Sequence, residues 1–430
     1  MMSEAIVEKQ EGAVSVEVVD SDAAFDNLED VWNDLVETAD CTIYQTFEWQ
    51  RTWWKYFGKS RKLNVLVMRE GSTLVGIVPM FIERKSVMGI AVLAVLQFLG
   101  SEESDYNDVI SLPGYREIVI NALVNYLSRP DRQWDCFEIR DVSERFETIT
   151  LLPARLAAAG FKVHTYKGNV CPQVSLPKTW SQFLEHLGGN LRYQLKKKTE
   201  RLNKSHQVVT EIVTSGDAEV KEAVGRFAAI HGQRWESLGY LNAFKDPHFL
   251  AFHVEAAQKF ARRGWLRMLF LNVDGVRVAV NFDFNFRGRI YFYHGNAYAS
   301  DEIMKFSPGF LLRCAAIEQG IAEGIEVYDM LRGNETYKAN DFKCMPIGNW
   351  QIRAVPQDFP ARVLFSAFLF QELLGKIPKR IRREFQDYRR FSKTKDPSPA
   401  LVLEYGWERL KDVSKLGRYY VDRFFGRSTN

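Results

Sequence analysis

Hydrophobic and polar positions change their spacing repeatedly along the chain, and these changes predict an alternation of strands and helices. The segments LNVLVMRE and LVGIVPMFIER flank the turn Gly71-Ser72, and LRMLFLNV and RVAVNFDFNF flank Asp274-Gly275. Each pair predicts a β-hairpin, because apolar runs on both sides of a two-residue turn are typical of antiparallel strands. Apolar residues at helical spacing predict helices over residues 22–39, 47–58, 115–128 and 310–323.

The order of the predicted elements occurs twice. WDCFEIRDV in the first half and IEVYDMLRG in the second are both apolar strands that carry an acid and end in charge. We therefore expect an α/β (α+β) protein built from two copies of one unit of ordinary domain size. The expected division is a disordered N-terminus over 1–13, units over 14–176 and 177–355, and a basic helical tail over 356–430.

Composition narrows the class of protein. Hydrophobic residues make up 46% of the 430 residues and the formal net charge is only +3, as in a packed globular protein. The five cysteines are scattered and lack the paired spacing of a metal site, so we expect reduced thiols and no metal. Neither a secretory signal nor an apolar run of about 20 residues is present, which favours a cytoplasmic enzyme.

Two segments are strongly basic. Residues 376–395 contain nine Lys or Arg and two acids, a net +7, so the tail could lie on anionic lipid at the inner membrane face. It could equally pack on the domains, and its apolar residues at helical spacing favour packing. The helix NLRYQLKKKTERLNK could be a solvated helix or a contact for phosphates. Its cations are Arg192, Lys196, Lys197, Lys198, Arg201 and Lys204.

The segment Ser307-Pro308-Gly309 predicts a helix start that can bind an anion. Serine is a good N-cap, proline suits the first helical position, and the exposed N–H groups and the helix dipole attract negative charge. The alternative is an ordinary capped helix. The candidate pyrophosphate contacts are Lys305, Phe306, Ser307, Gly309 and Arg313.

Candidate catalytic residues lie near the ends of the next strands. Strict alternation in GRIYFYHGNAY puts Tyr291 and Tyr293 on one face and Phe292 and His294 on the other. His294 could be a general base or a structural histidine. Asp329 and Arg332 end the following strand, where they could pair with each other or orient a substrate.

Other polar residues could contact a substrate. His231, Arg234 and Trp235 recur at helical spacing and could line a cleft or brace their helix. Asp283, set among phenylalanines, should be paired with a cation or functional, and we expect pairing first.

The second half resembles the GNAT acyltransferase fold. More narrowly, IYQTFEWQRTWWKYFG, HGQRWESLG, SPGFLL and YDMLRGNETYK resemble motifs of the CelD/BcsL-like (BioF2-like) acetyltransferases and of the related FemAB aminoacyltransferases, over residues 14–354. The resemblance implies tandem GNAT-like domains, with YFYHGN as the central strand, 299–308 as the phosphate loop and EVYDMLRG splayed away from the central strand. It also implies that Tyr337 protonates the leaving group, that His294 takes the acceptor proton and that Asp329 and Lys338 position the substrate.

The resemblance implies acetyl-CoA or another acyl-CoA as donor, and a sugar, sugar nucleotide or amino compound of polysaccharide or envelope synthesis as acceptor. The loop ASDEIMKFSPG departs from the GNAT pattern, because it has Asp301, Glu302 and a single glycine. An aminoacyl-tRNA donor, as in FemAB relatives, therefore stays open, as does a non-catalytic scaffold at the membrane surface.

The corresponding loop of the first half, GSEESDYNDVIS, is acidic. Its four carboxylates should repel a pyrophosphate. We therefore expect the first unit to complete the acceptor cleft. These carboxylates are Glu102, Glu103, Asp105 and Asp108.

Overall fold

One eleven-stranded sheet runs through both halves of the chain, and a separate four-stranded sheet belongs to the first half. The computed structural model describes residues 14–333, 342–358 and 360–372. The N-terminus predicted to be disordered, the candidates Tyr337 and Lys338, and most of the basic tail lie outside these residues.

The first half contains nine labelled strands and five labelled helices among its described residues. They are β1 (Val14–Val19), α1 (Asp22–Asp26), α2 (Glu29–Thr38), α3 (Phe47–Phe57), β2 (Lys62–Leu63), β3 (Val65–Glu70), β4 (Thr73–Val78), β5 (Met80–Val87), β6 (Ala91–Phe98), β7 (Ile110–Ser111), α4 (Arg116–Leu127), β8 (Cys136–Ser143), α5 (Thr148–Ala158) and β9 (Lys162–Ser175).

The second half continues the alternation. Its elements are α6 (Trp180–His186), α7 (Gly189–Ser205), β10 (Val208–Val213), α8 (Asp217–Ser237), α9 (Pro247–Arg262), β11 (Leu266–Val273), β12 (Val276–Phe286), β13 (Arg289–Ala297), α10 (Asp301–Met304), α11 (Pro308–Ala322), β14 (Val327–Asp329) and β15 (Met345–Val355). Residues 360–372 are also helical.

Both predicted hairpins are confirmed, as β3–β4 and β11–β12. The helix predicted over 22–39 is wrong as a single element, because the chain tightens at Leu28, whose N–H donates to the carbonyl of Phe25, and α2 starts afresh. The segment LVGIVPMFIER is likewise two strands. Pro79 cannot donate a backbone hydrogen bond, so β4 stops before it and β5 crosses to the larger sheet.

The larger sheet has the order β10-β11-β12-β13-β14-β9-β15-β8-β6-β5-β2. The last strand of the second half, β15, lies between β9 and β8 of the first half and is antiparallel to both. The end of β9 pairs in turn with β14. Each half therefore completes the sheet of the other, and the loops at their junction are held close together.

The main apolar core also spans the two halves. Trp49 of α3 is fully buried, and its ring lies 5.1 Å from Phe252 of α9 and 5.7 Å from Tyr293 of β13. Burying large aromatic rings contributes strongly to stability, so this contact fixes the aromatic helix of the first half against the second. No helix among the described residues is both long and apolar enough to cross a membrane.

Candidate active site

The central feature of the site is the divergence of β13 and β14. The two strands are parallel and pair only through Arg289–Val327, Ile290–Tyr328 and Tyr291–Asp329. Strand β13 continues to Ala297, whereas β14 ends at Asp329. The expected splay is therefore present, and it opens a gap between the two strands beyond Tyr291.

The start of α11 lies against the free end of β13. A Cβ atom built on Gly309 would lie 3.5 Å from Cβ of Ala297 and would meet no other atom within 4 Å. The backbone at Gly309 is therefore open on one side, where a ligand can approach the N–H groups of the first helical turn.

Ser307 occupies the N-cap position without the predicted capping bond. Its backbone is left-handed, with φ of 56°, and its side chain makes no cap hydrogen bond. The hydroxyl instead accepts a hydrogen bond of 2.7 Å from Nζ of Lys198 on α7. Ser307 is therefore the N-cap residue, as predicted, but its hydroxyl holds a lysine of the basic helix at the helix start instead of bonding a helix N–H.

The other predicted pyrophosphate contacts lie in two environments. Lys305 is exposed and Phe306 is half-buried, with its ring 6.4 Å from that of His206. Arg313 is only 8% exposed and its guanidinium lies 5.8 Å from the centre of the Phe292 ring, so it faces the sheet. The segment 299–308, predicted as a loop, contains the short helix α10, on which Asp301 and Glu302 are exposed.

A β-bulge decides where His294 points. Phe282 pairs with His294 and Asp283 pairs with Phe292, so Tyr293 is an extra residue in β13. The bulge interrupts the alternation, and the prediction that Phe292 and His294 share a face is wrong. Phe292 packs with the core on the α11 side, whereas His294 stacks on Phe227 of α8, with ring centres 5.6 Å apart.

His294 belongs to a cluster of three histidines on the α8 and α9 side of the sheet. Its ring lies 6.1 Å from that of His231 and 6.2 Å from that of His253. Burial lowers the pKa of His231 and of His253 to about 4, so both are neutral at pH 7. Within the described chain, Nδ1 of His231 has no hydrogen-bond partner.

The predicted patch on α8 stands at the edge of this cluster. Trp235 is 37% exposed and stacks on His231, with ring centres 5.5 Å apart. Arg234 is half-buried next to it in the chain. His231 and Trp235 thus lie together with His294, as a substrate cleft requires.

Asp329 lies at the bottom of the splay and is fully buried. Its carboxylate accepts hydrogen bonds from the Tyr106 hydroxyl at 2.9 Å, from the Gln173 side-chain amide at 2.8 Å and from the Leu331 N–H at 2.9 Å. Burial raises the pKa of Asp329 to about 6, although Arg289, 3.6 Å away, opposes the rise. Tyr106 and Gln173 come from the first half, so this carboxyl joins the two units.

Arg332 holds the acidic loop of the first half against the second. Its Nε lies 2.6 Å from a carboxylate oxygen of Asp105 and its Nη1 lies 3.5 Å from Asp141, while Nη2 donates to the carbonyl of Glu102. Arg332 thus forms ion pairs with two carboxylates of the first half, and its expected contact with a substrate stays a prediction.

Glu103 is the notable carboxyl of that loop. It is half-buried, and burial raises its pKa to about 7, with Arg332 opposing the rise and Glu102 and Asp105 adding to it. The charges of Glu103 and Asp105 also contribute to the raised pKa of the Tyr293 hydroxyl, which follows mainly from its burial. That hydroxyl lies 3.0 Å from Nε2 of His253. The acidic loop therefore lies near Tyr293, on the side of the sheet that carries the three histidines.

Asp283 is fully buried on β12, and the hydroxyl of Tyr328 donates to it at 3.5 Å. Burial raises its pKa well above the usual range, while the charges of Arg267 and Arg313 act against the rise. Among the described residues no cation forms an ion pair with it, so the expected pairing is wrong, and burial favours the protonated carboxyl.

Several residues of the site were not selected from the sequence. Tyr106 and Gln173 reach the splay because the acidic loop and β9 come from the other half of the chain, whereas Arg289 is the first residue of β13 itself. The one sequence signal was the density of polar residues in GSEESDYNDVIS after an apolar strand. Loop residues of this kind, set on a rigid scaffold, often carry function.

Comparison with known proteins agrees with this geometry. The family model for the acetyltransferase (GNAT) domain matches residues 189–339, which include α7, the splay and the start of α11. A search of curated proteins finds no match.

Solved structures share the fold at low sequence identity. FemX superposes with a TM-score of 0.55 at 11% identity, over 75% of this chain and 95% of FemX. A conserved protein of unknown function from Bacteroides thetaiotaomicron VPI-5482 gives 0.48 at 12% identity, over 79% of this chain and 100% of that one. A tandem GNAT protein from the clavulanic acid biosynthesis pathway gives 0.44 at 14% identity, over 80% and 100%.

The two TM-scores below 0.5 are too low to establish a shared fold. The likeness of fold therefore depends on FemX, and the domain assignment depends on the family model. Together they show that residues 189–339 match a GNAT-type acetyltransferase domain and that the chain shares the fold of FemX.

Proposed function

We propose that the protein transfers an acyl group from an acyl-CoA to a nitrogen or oxygen of a small acceptor, which is a sugar, a sugar nucleotide or an amino compound of polysaccharide or envelope synthesis. The observation that carries the proposal is the position of the α11 start, with Lys198 bonded to Ser307, beside the free end of β13. A pyrophosphate bound there would place an attached acyl group near the gap between β13 and β14.

The residues at the helix start fit an anion. Lys198 and Lys305 supply positive charge, and the open side of Gly309 leaves the N–H groups accessible. Asp301 and Glu302 are exposed on α10 and reduce the local positive charge. The basic helix α7 thus replaces the spaced glycines of the usual GNAT loop as the source of anion affinity.

The acceptor side lies on the opposite face of the sheet. His294, the neutral His231 and Trp235 border it, and the acidic loop closes it from the first half. Glu102, Glu103, Asp105 and Asp141 outnumber their cation partners Arg332 and Arg61, which favours an acceptor that arrives as an ammonium ion. Within the proposal, an amine is therefore the preferred nucleophile.

The reaction is direct transfer. The bound ammonium ion first releases one proton to solvent. The resulting amine nitrogen attacks the thioester carbonyl, a C–N bond forms and the C–S bond breaks. His294 takes the proton that the nitrogen loses, directly or through a water. Backbone N–H groups of β13 beyond Tyr291 stabilise the oxyanion. By family resemblance, Tyr337 gives a proton to the leaving thiolate.

A thermal-shift experiment on the full chain tests the donor. Acetyl-CoA should raise the melting temperature, because a ligand that binds only the folded state stabilises it. A CoA derivative that lacks the 3′-phosphate shows how far the pyrophosphate alone accounts for binding. A shift with aminoacyl-tRNA and none with any acyl-CoA would transfer the proposal to the FemAB-like reaction, and no shift with either would contradict acyl transfer.

A further inference from the structure

His253 of α9 makes two hydrogen bonds in the protein interior. It is 1% exposed, its Nδ1 lies 2.7 Å from the carbonyl oxygen of Phe249, and its Nε2 lies 3.0 Å from the hydroxyl of Tyr293. A carbonyl oxygen can only accept a hydrogen bond, so Nδ1 carries a hydrogen. Within the described chain no carboxylate pairs with this buried ring, so the ring is neutral and Nε2 presents a lone pair. The hydroxyl of Tyr293 therefore donates to Nε2.

Tyr293 is the extra residue of the bulge in β13. It falls between two pairs of the ladder, which are Phe282 with His294 and Asp283 with Phe292. Successive residues of a regular strand point to opposite faces, yet Tyr293 and His294 both lie on the side of α8 and α9. The bulge therefore brings these two side chains to one face.

The register without the bulge shows what the bond to His253 selects. In that register Tyr293 would pair with Phe282. His294 would then pair with Asn281 and face α11 instead of the acceptor side. The move would carry the tyrosine hydroxyl along the strand by one residue, about 3.3 Å. That distance exceeds the tolerance of a hydrogen bond, so the bond to Nε2 is made only in the bulged register.

Ring packing around Tyr293 is less selective than this bond. Its ring lies 5.7 Å from that of Trp49, 5.0 Å from that of Phe284 and 5.7 Å from that of His253. Apolar burial is non-directional, whereas a hydrogen bond fixes the position of its donor. The rings of Tyr293 and His294 lie only 4.3 Å apart, so a displacement of the tyrosine also moves the adjacent imidazole.

We propose that His253 is a positioning residue, which holds the bulge through the hydroxyl of Tyr293 and so keeps His294 on the acceptor side of the sheet. The effect on turnover rests on the proposed role of His294 as the base, whereas the positioning itself does not. A base must lie within hydrogen-bond reach of the proton that it takes, and a displacement of about 1 Å can lower a rate by about a hundredfold. The donor site at the start of α11 lies on the other face of the sheet and should keep its affinity.

Tyr293→Phe in the full-length protein tests the proposal, because it removes the hydroxyl and keeps the ring. Acyl transfer from acetyl-CoA to the best acceptor of a panel of amino sugars and amino acids should slow by about tenfold to a hundredfold. The KM for acetyl-CoA should change by less than about twofold. NMR of protein with isotope-labelled histidine rings gives a readout that needs no turnover. The ring signal of His294, assigned from the His294→Gln protein, should shift in the Tyr293→Phe protein.

Replacement of His253 separates the bond from the packing. His253→Gln keeps an acceptor oxygen near the place of Nε2 and should retain most of the turnover, whereas His253→Leu has no acceptor and should lower turnover as Tyr293→Phe does. The double variant Tyr293→Phe/His253→Leu should be no slower than either single variant, because both changes break one bond. Tyr126→Phe is the control. Its hydroxyl donates to Asn64 at 2.9 Å in the first half, so turnover and the His294 signal should stay unchanged.

Two results would overturn the proposal. One is unchanged turnover with an unchanged His294 signal in the Tyr293→Phe protein. The other is a lower melting temperature of that protein with normal turnover and signal, since the bond would then serve stability alone. A shifted signal together with full activity of the His294→Gln protein would support the positioning and contradict the proposed role of His294 as the base.

Discussion

The hydroxyl of Tyr106 donates a 2.9 Å hydrogen bond to the carboxylate of Asp329, across 223 residues of sequence. Tyr106 is 2% exposed and Asp329 is fully buried, so the bond lies in the interior, where the acidic loop of the first half meets the end of β14. A buried carboxyl that loses a donor keeps its desolvation penalty without compensation. The bond therefore couples the position of the acidic loop to the splay.

Replacing Tyr106 by Phe should lower the free energy of unfolding by about 1–2 kcal/mol, the typical cost of leaving a buried polar group without its partner. Chemical denaturation measures the change. Tyr56→Phe is the control, because its hydroxyl donates to Glu255 at 2.9 Å in a partly solvated setting, and its loss should cost less. An equal loss for both variants would contradict a special role for the Tyr106–Asp329 bond.

Asp329 and Glu103 should each make stability fall as pH rises from about 4 to 7. His231 and His253, whose pKa is lowered to about 4, should oppose this fall up to a pH of about 6.5. The pKa of Asp329 is raised to about 6 and that of Glu103 to about 7, both by burial. Between the ordinary carboxyl pKa and these values, the folded state holds protons that the unfolded state has released, so raising the pH favours unfolding. The lowered pKa of Glu138, about 2, has the opposite sign but acts only below the ordinary carboxyl range.

Compared with the unmodified protein, Glu103→Gln should make stability fall less, or rise more, as the pH increases from about 5 to 7, because the variant has no proton to lose there. Urea unfolding at several pH values between about 5 and 7 measures the slope. Glu102→Gln is the matched control, since Glu102 is the exposed neighbour in the same loop, and it should leave the slope unchanged. A slope in the Glu103→Gln protein equal to that of the unmodified protein would place the responsible group elsewhere.

Lys198→Ala should weaken acyl-CoA binding by about fivefold to fiftyfold, the range expected for a charge-assisted hydrogen bond to phosphate. The KM for the donor should rise while the maximal rate at saturating donor changes little. Lys204→Ala removes the same charge from an exposed position of the same helix and should have little effect on acyl-CoA.

The same pair of variants separates the two donors. RNA binding depends on the sum of phosphate contacts, so Lys198→Ala and Lys204→Ala should weaken tRNA binding alike if tRNA is the donor. A selective effect of Lys198→Ala supports acyl-CoA.

The sequence predicted the elements that local pattern controls. The hairpins at Gly71 and Gly275 and the helices around Trp53 and Leu123 were confirmed, because turn residues and apolar spacing act over a few residues. The resemblance of the second half supplied the splay, which the short pairing of β13 with β14 bears out.

What the sequence did not predict depends on contacts between distant segments. The bulge at Tyr293 turns His294 towards α8, and it arises in the pairing with β12, which no alternation within β13 reveals. Lys198 reaches Ser307 from 109 residues away, and Asp329 receives Tyr106 and Gln173 from the other half. Such contacts follow from the strand order of the shared sheet, in which β9 and β15 cross between the halves.

His294→Gln should reduce turnover by roughly a hundredfold or more at pH 7, the usual contribution of a positioned general base. Glutamine keeps much of the side-chain volume beside Phe227, so the melting temperature should change little. His248→Gln, at an exposed position on α9, is the control and should retain full activity. Turnover and thermal unfolding together decide the role. Removal of the base should lower the turnover of fully folded protein, whereas loss of a merely structural histidine would lower the melting temperature and leave the turnover of the folded fraction unchanged.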